Sequence, residues 1–243
     1  MAHPGIARLK SLAGVCTIVL ALSACGSSQV PGRSPDTDVK PADPHAGPAE
    51  RPVHPGGVPE TAQKLRQRLL TASDVGPAYK ALPESDHKDN STFGPCEPDF
   101  ARYGVKDPKE LDMAAEVNAG FALEVGDGRP VLTEQLSSDT SKKLAAGLKV
   151  VFDVLSTCGP LEVPESPGQH GKISITMEKA PLPAQKLGEE QYRVVSTATG
   201  DGKTEVTEVA GVRVGNVGLI LTGPPDMVEE SLAKAVAKVK GSK

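Results

Sequence analysis

From about residue 60 onward, apolar and polar positions alternate first with one period and then with another, and each change of period marks an element. A helical stripe follows Pro59, with Ala62, Leu65 and Leu69 on one face and Lys64, Arg66 and Arg68 elsewhere. In residues 71–79, T-A-S-D-V-G-P-A-Y, Ser73 or Asp74 is suited to cap a short turn that Gly76-Pro77 then breaks. Residues 80–107 are polar and Pro-containing, which predicts a long loop with a short helix around 98–103. Strand-like runs at 120–125 and 130–138 flank Gly126-Asp127-Gly128-Arg129, a turn by composition. Asp139 is placed to cap the next helix, whose Leu144, Leu148, Val151, Phe152 and Leu155 recur at three-to-four spacing.

Period two returns at 172–179, where Ile173, Ile175 and Met177 alternate with polar residues. Runs at 191–199 and 203–214 enclose Gly200-Asp201-Gly202 as a second hairpin. Residues 216–222, N-V-G-L-I-L-T, form the most apolar run and predict a central strand. A last helix over 225–239 presents Val228, Leu232, Val236 and Val239 on one face. The pattern predicts an α+β fold: a largely antiparallel sheet of about six strands with helices packed on it.

Upstream the pattern stops. Residues 26–59 hold eight Pro and five Gly among 34 residues, with few large apolar side chains. Pro removes an amide donor and fixes φ, and nothing here offsets the ordering entropy, so a disordered tether is predicted. As a coil it would span on the order of 30 Å, and as polyproline II about 100 Å. His45 and His54 lie in this stretch and read as solvated linker residues.

Before the tether, Arg8 and Lys10 precede an apolar run from Leu12 to Ala24 that ends in Leu22-Ser23-Ala24-Cys25. The run is shorter than the roughly 20 residues a spanning helix needs and fits the apolar region of a secretory signal. L-S-A-C resembles the lipobox of bacterial lipoproteins, which implies diacylglyceryl transfer to the Cys25 sulfur and cleavage before it. The alternatives are an ordinary signal with an incidental Cys and an uncleaved anchor. The expected organisation is a signal peptide at 1–24, a lipidated Cys25 with its tether at 25–59, and one domain at 60–243. Two or three acyl chains of palmitate type, at about 0.8 kcal/mol per buried CH₂, give a durable anchor. The protein is therefore expected on the extracytoplasmic face of the cell membrane.

Charge narrows the partners. Residues 1–24 carry two basic and no acidic side chains, so 25 basic residues face 31 acidic ones in the remainder. No basic block suited to a phosphate backbone exists, and nucleic acid is not expected as a partner. Cys16 would leave with the signal, so Cys96 and Cys158 are the cysteines of the exported domain. The alternatives are a free nucleophile or a metal pair, but there is no CxxC and no His at zinc-type spacing from either Cys. A disulfide is the better reading, tying the 80–107 loop to the end of the helix that carries Leu155.

The order of these landmarks resembles a known family. L-L-T-A-S-D-V-G-P-A-Y at 69–79 is followed by a loop Cys, by G-D-G-R-P-V-L-T-E-Q-L, by a helix ending L-S-T-C-G, and by V-R-V-G-N-V-G-L-I-L-T before the last helix. This is similar to actinobacterial sensor-domain lipoproteins, related to the extracytoplasmic sensor domain of a mycobacterial receptor Ser/Thr kinase. The resemblance covers about 60–240 and implies ligand binding in a cleft rather than chemistry. That family's cleft is stabilised by two disulfides, whereas one pair is available here. With no kinase domain in this sequence, any signal would pass through a partner.

Catalytic motifs are not found: there is no G-x-S-x-G, H-E-x-x-H, Walker loop or dinucleotide fingerprint. Asp86-His87-Lys88-Asp89 has ligand-type atoms, but Lys88 opposes a cation and a solvated loop explains the charges. His170 lies in a loop-like stretch, and Glu189/Glu190 and Glu229/Glu230 are adjacent residues that point apart. No enzyme activity, metal or cofactor is expected. Tyr79, Phe93, Phe100 and Tyr103 are the aromatics of the loop region, placed to line a cleft between it and the sheet. A domain so poor in aromatics also needs such residues in its core. The expected function is a ligand-binding or sensor module for an unidentified small ligand. The competing readings are a cell-envelope interaction or structural lipoprotein, and behind it a lipid carrier or a hydrolase.

Overall fold

The computed structural model describes residues 57–84, 99–126, 128–164 and 172–241. Two short helices come first, α1 (Ala62–Arg66) and α2 (Ala72–Val75), then the edge strand β1 (Tyr79–Ala81). Single 3₁₀ turns at Phe100–Tyr103 and Pro108–Leu111 lead into β2 (Ala115–Leu123) and β3 (Leu132–Ser138). Next are α3 (Ser141–Thr157), β4 (Leu161–Pro164), β5 (Lys172–Lys179), β6 (Glu190–Gly200), β7 (Lys203–Val214), β8 (Val217–Gly223) and α4 (Pro225–Val239). The strands form one eight-stranded sheet in the order β1-β2-β3-β8-β7-β6-β5-β4. Every neighbouring pair is antiparallel.

Both faces of the sheet are apolar at the centre, which is why the run carrying Val217, Leu219 and Leu221 lies inside it. On one face Val117, Phe121, Leu132, Leu136, Val212 and Leu219 meet Leu65 of α1 and Val228, Leu232 and Val236 of α4. On the other, Leu148, Val151, Phe152 and Leu155 of α3 pack onto Ile175, Met177, Val209 and Ile220. Phe152 stacks on Tyr192 with ring centroids 5.1 Å apart. Its ring also lies over Gly211, where a Cβ would stand 2.3 Å from Phe152 Cε2, so the helix approaches only because β7 carries no side chain there. The outer side of α3 is covered in turn: Val150 and Val154 pack against Val105, Leu111, Phe100 and Tyr103.

The α+β antiparallel architecture matches the sequence expectation, with eight strands rather than about six. The additional strands, β1 and β4, are three and four residues long and occupy the two sheet edges. β2 begins at Ala115, ahead of the expected start at 120. The caps also differ. Thr71 precedes α2, and the Asp74 side chain accepts from the Thr71 backbone N–H and hydroxyl, each at 2.7 Å. Thr140 caps α3 through Lys143 N, while Asp139 accepts from Ala114 N at 3.0 Å and joins β2 to β3. The β6–β7 hairpin closes as expected on Asp201 and Gly202, with φ of 48° and 70°, both in the left-handed region that a tight primed turn requires.

Candidate functional site

Strand alternation sets a polar panel into the α3 side of the sheet. On β2 and β3 the register pairs Glu116 with Ser137, Asn118 with Gln135 and Gly120 with Thr133. β8 extends these rows with Gly218, Ile220 and Thr222. The same rows run on through β7 and β6, where Arg213 lies beside Glu190 and Gly211 beside Tyr192. α3 packs against β5 to β8, with Leu144 and Phe152 over Gly218 and Gly211. Asn118, Thr133, Gln135 and Thr222 lie to the side of this packing and are half-buried.

Among the described residues these four side chains make no hydrogen bond. None of their polar atoms is both buried and unpartnered, so water reaches them and a ligand would replace that water. Two amides and two hydroxyls together offer both donors and acceptors with no net charge. Charge stands at both ends of one row, Glu116 on β2 and the ion pair Arg213–Glu190, with nitrogen and oxygen 3.2 Å apart, on β7 and β6. Such a surface is suited to a polar ligand and holds no nucleophile–base pair. Among the described residues no group of three or more His, Cys, Asp or Glu is placed to hold a metal ion.

The opposite face of β3 carries a different polar feature. Glu134 lies between Thr133 and Gln135 but points to the α1/α4 side, where it is 1% exposed. Leu70 N–H donates to its Oε2 at 2.6 Å, and its Oε1 has no hydrogen-bond partner. Burial pushes its carboxyl up to about 7, against the weaker downward pull of the Leu70 amide and Lys238.

The aromatics expected to line a cleft are not brought together. Tyr79 pairs with Leu123 on β1, on the α2 side and close to Gly76. Phe100 and Tyr103 lie across the sheet from it, on the outer surface of α3. Phe93, Cys25, Cys96, His87 and His170 fall outside the described residues. Cys158 follows α3 as its C-cap. The panel residues were not picked out from the sequence, although A-E-V-N-A-G before Phe121 already alternates polar with apolar positions. That alternation is the signal that places Glu116 and Asn118 on one face, and the register with β3 then sets Gln135 beside Asn118.

No family model and no curated protein matches the sequence. The fold is similar to that of the extracellular domain of PknH from Mycobacterium tuberculosis. The TM-score is 0.53 at 16% identity, and the match covers 76% of this chain and 98% of the PknH domain. At that identity the likeness to PknH is one of fold. It agrees with the sensor-domain resemblance read from the order of sequence landmarks.

Proposed function

We propose that this chain is a lipid-anchored lipoprotein of the extracytoplasmic membrane face, and that its α+β domain is a ligand-binding sensor module without catalysis. The observation that carries the binding half is the polar panel of Asn118, Thr133, Gln135 and Thr222 beside α3. The fold likeness to the PknH extracellular domain supports the extracytoplasmic, sensor-like part of the reading. The sequence L-S-A-C supports anchoring through Cys25, with the membrane as the first partner. A Cys96–Cys158 bond belongs to the same proposal, supported by their being the two cysteines of 60–243 and by Cys158 lying at the end of α3.

The test is a thermal-shift screen of the full chain, oxidised and in detergent, against polar envelope metabolites, lipids and divalent cations. A ligand at 100 times its Kd adds about 2.7 kcal/mol, a resolvable rise in Tm. The expected hit is a neutral polar compound, and Asn118→Ala/Gln135→Ala should lose the shift while keeping the unliganded Tm. A flat screen would favour an envelope interaction protein, for which Leu123 and Val125, 43% and 91% exposed at the end of β2, offer a contact point.

A further inference from the structure

Residues 57–78 lie across the α1/α4 face of the sheet as a strap, and polar contacts at three places hold it. Its start is tied to the end of β3, where Glu60 N–H donates to Ser138 Oγ at 2.8 Å. Its middle is fixed by Arg68, which pairs with Glu60 at 3.0 Å and donates to the Val239 carbonyl at the end of α4. Near its end, Lys238 of α4 reaches Asp74 Oδ2 at 2.6 Å, and Lys234 donates to the Asp74 carbonyl. Between these points the chain crosses directly over Glu134, and Leu70 is buried beside it.

Glu134 is the weak point in this arrangement. A buried carboxylate needs several donors, and this one has a single backbone N–H, with its other oxygen buried and unpartnered. The charged groups facing it are Asp74 from α2 and Lys238 from α4, already engaged with each other. From the strands on either side come only Ala119 of β2 and Leu221 of β8. No counter-charge is therefore reserved for Glu134, and it is comfortable under the strap only as the neutral acid.

We propose that residues 57–78 form a proton-sensitive strap, docked tightly when Glu134 is protonated and loosened when it ionises. The carboxyl is held near 7 under the strap and returns toward its ordinary 4.5 when the strap lifts and water reaches it. Docking then takes up a proton, so the opening equilibrium grows by up to tenfold per pH unit between those values and levels off above them. Asp74 does not blur this response. Burial alone would raise it, but hydrogen bonds from Lys238 and Thr71 outweigh that and hold it at about 2. The flanking Thr133 and Gln135 belong to the polar panel on the opposite face, so the device is one residue from the proposed binding surface.

Amide hydrogen exchange of the full chain, read by mass spectrometry from pH 5.5 to 8.5 and corrected for intrinsic rates, tests this. Peptides from 57–78 should lose protection relative to β7 and β8 by about fivefold from pH 6 to 7, and level off above pH 8 at about tenfold below the pH 6 value. Glu134→Gln, which keeps an acceptor for Leu70 N–H without the charge, should flatten the profile. A wild-type strap whose relative protection does not change with pH overturns the proposal, whether or not the variant folds. An unchanged slope in folded Glu134→Gln overturns it as well.

Discussion

Gly211 shows how a single position can decide where a helix lies. Phe152 reaches the sheet at that glycine and stacks there on Tyr192, so the α3 side of the core closes around an atom that is missing. Gly211→Ala forces the ring off its site and should destabilise the domain by about 1–3 kcal/mol, as overpacking of a filled core does. Phe152→Leu removes ring atoms from the same place, and the double variant should cost less than the two single changes summed, because both act on one contact. Urea unfolding of the four proteins measures this, and strictly additive losses would mean that the two residues do not share the site. Two carboxyls on the strap side act in opposite directions with pH. The contribution of Glu134 is fully present below 4.5 and is lost as pH rises through about 7. That of Asp74 is present above 3.8 and is lost as pH falls toward 2. The strap is therefore held best in mildly acidic solution.

At the scale of elements, α3 is the only long helix on its face among the described residues, and what fastens its far end matters. Its C-terminus passes through Cys158, in extended conformation with φ −67° and ψ 113°, directly into the edge strand β4. If Cys96 is its partner, Cys158→Ser opens a long loop, and the chain-entropy model gives about 4 kcal/mol as an upper figure for the loss. Calorimetry should show a lower Tm for Cys158→Ser and an equal drop for reduced wild type. A reduced wild type that melts with the oxidised form would exclude a structural bond. The long elements were legible in the sequence because their patterns run for several periods: Leu144 to Leu155 in α3, Val228 to Val239 in α4, and the two runs around Asp201. β1 and β4 were not, since three or four residues show no period and owe their form to a neighbour that already exists. The first half of β2 was hidden for another reason. Glu116 and Asn118 alternate with Val117 and Ala119, but the run holds one large apolar side chain, and its pairing with β3 is what makes it one face of a strand. The site was missed with it: aromatic type suggested Tyr79, Phe100 and Tyr103, but side-chain identity carries no record of which face a residue occupies.

At the scale of the molecule, the direction of the sheet relates the tether to the panel. The described chain enters at the end of β3, where Asn216 Nδ2 donates to the Val58 carbonyl at 2.6 Å and Ser138 Oγ donates to the Asn216 carbonyl at 2.7 Å. The panel row of Gly120, Thr133 and Thr222 lies toward the opposite end of the same strands. Five residues of β3 separate Thr133 from Ser138, roughly 17 Å at ~3.4 Å each. A domain tethered at its Val58 end carries the panel row at the far end of the sheet from the tether junction, so attachment leaves that row uncovered while the predicted tether would let the domain turn freely. This follows only if the anchor is Cys25 rather than another contact with the membrane. Cys25→Ala should move the protein from the membrane fraction to the soluble extracytoplasmic fraction without lowering the Tm of the domain, because the strap contacts begin at Val58. Fractionation followed by mass measurement of the N-terminal peptide decides it. A variant that stays with the membrane with residues 1–24 still attached would show an uncleaved anchor, and one that stays without them and without acyl mass would place the holding contact in the folded domain.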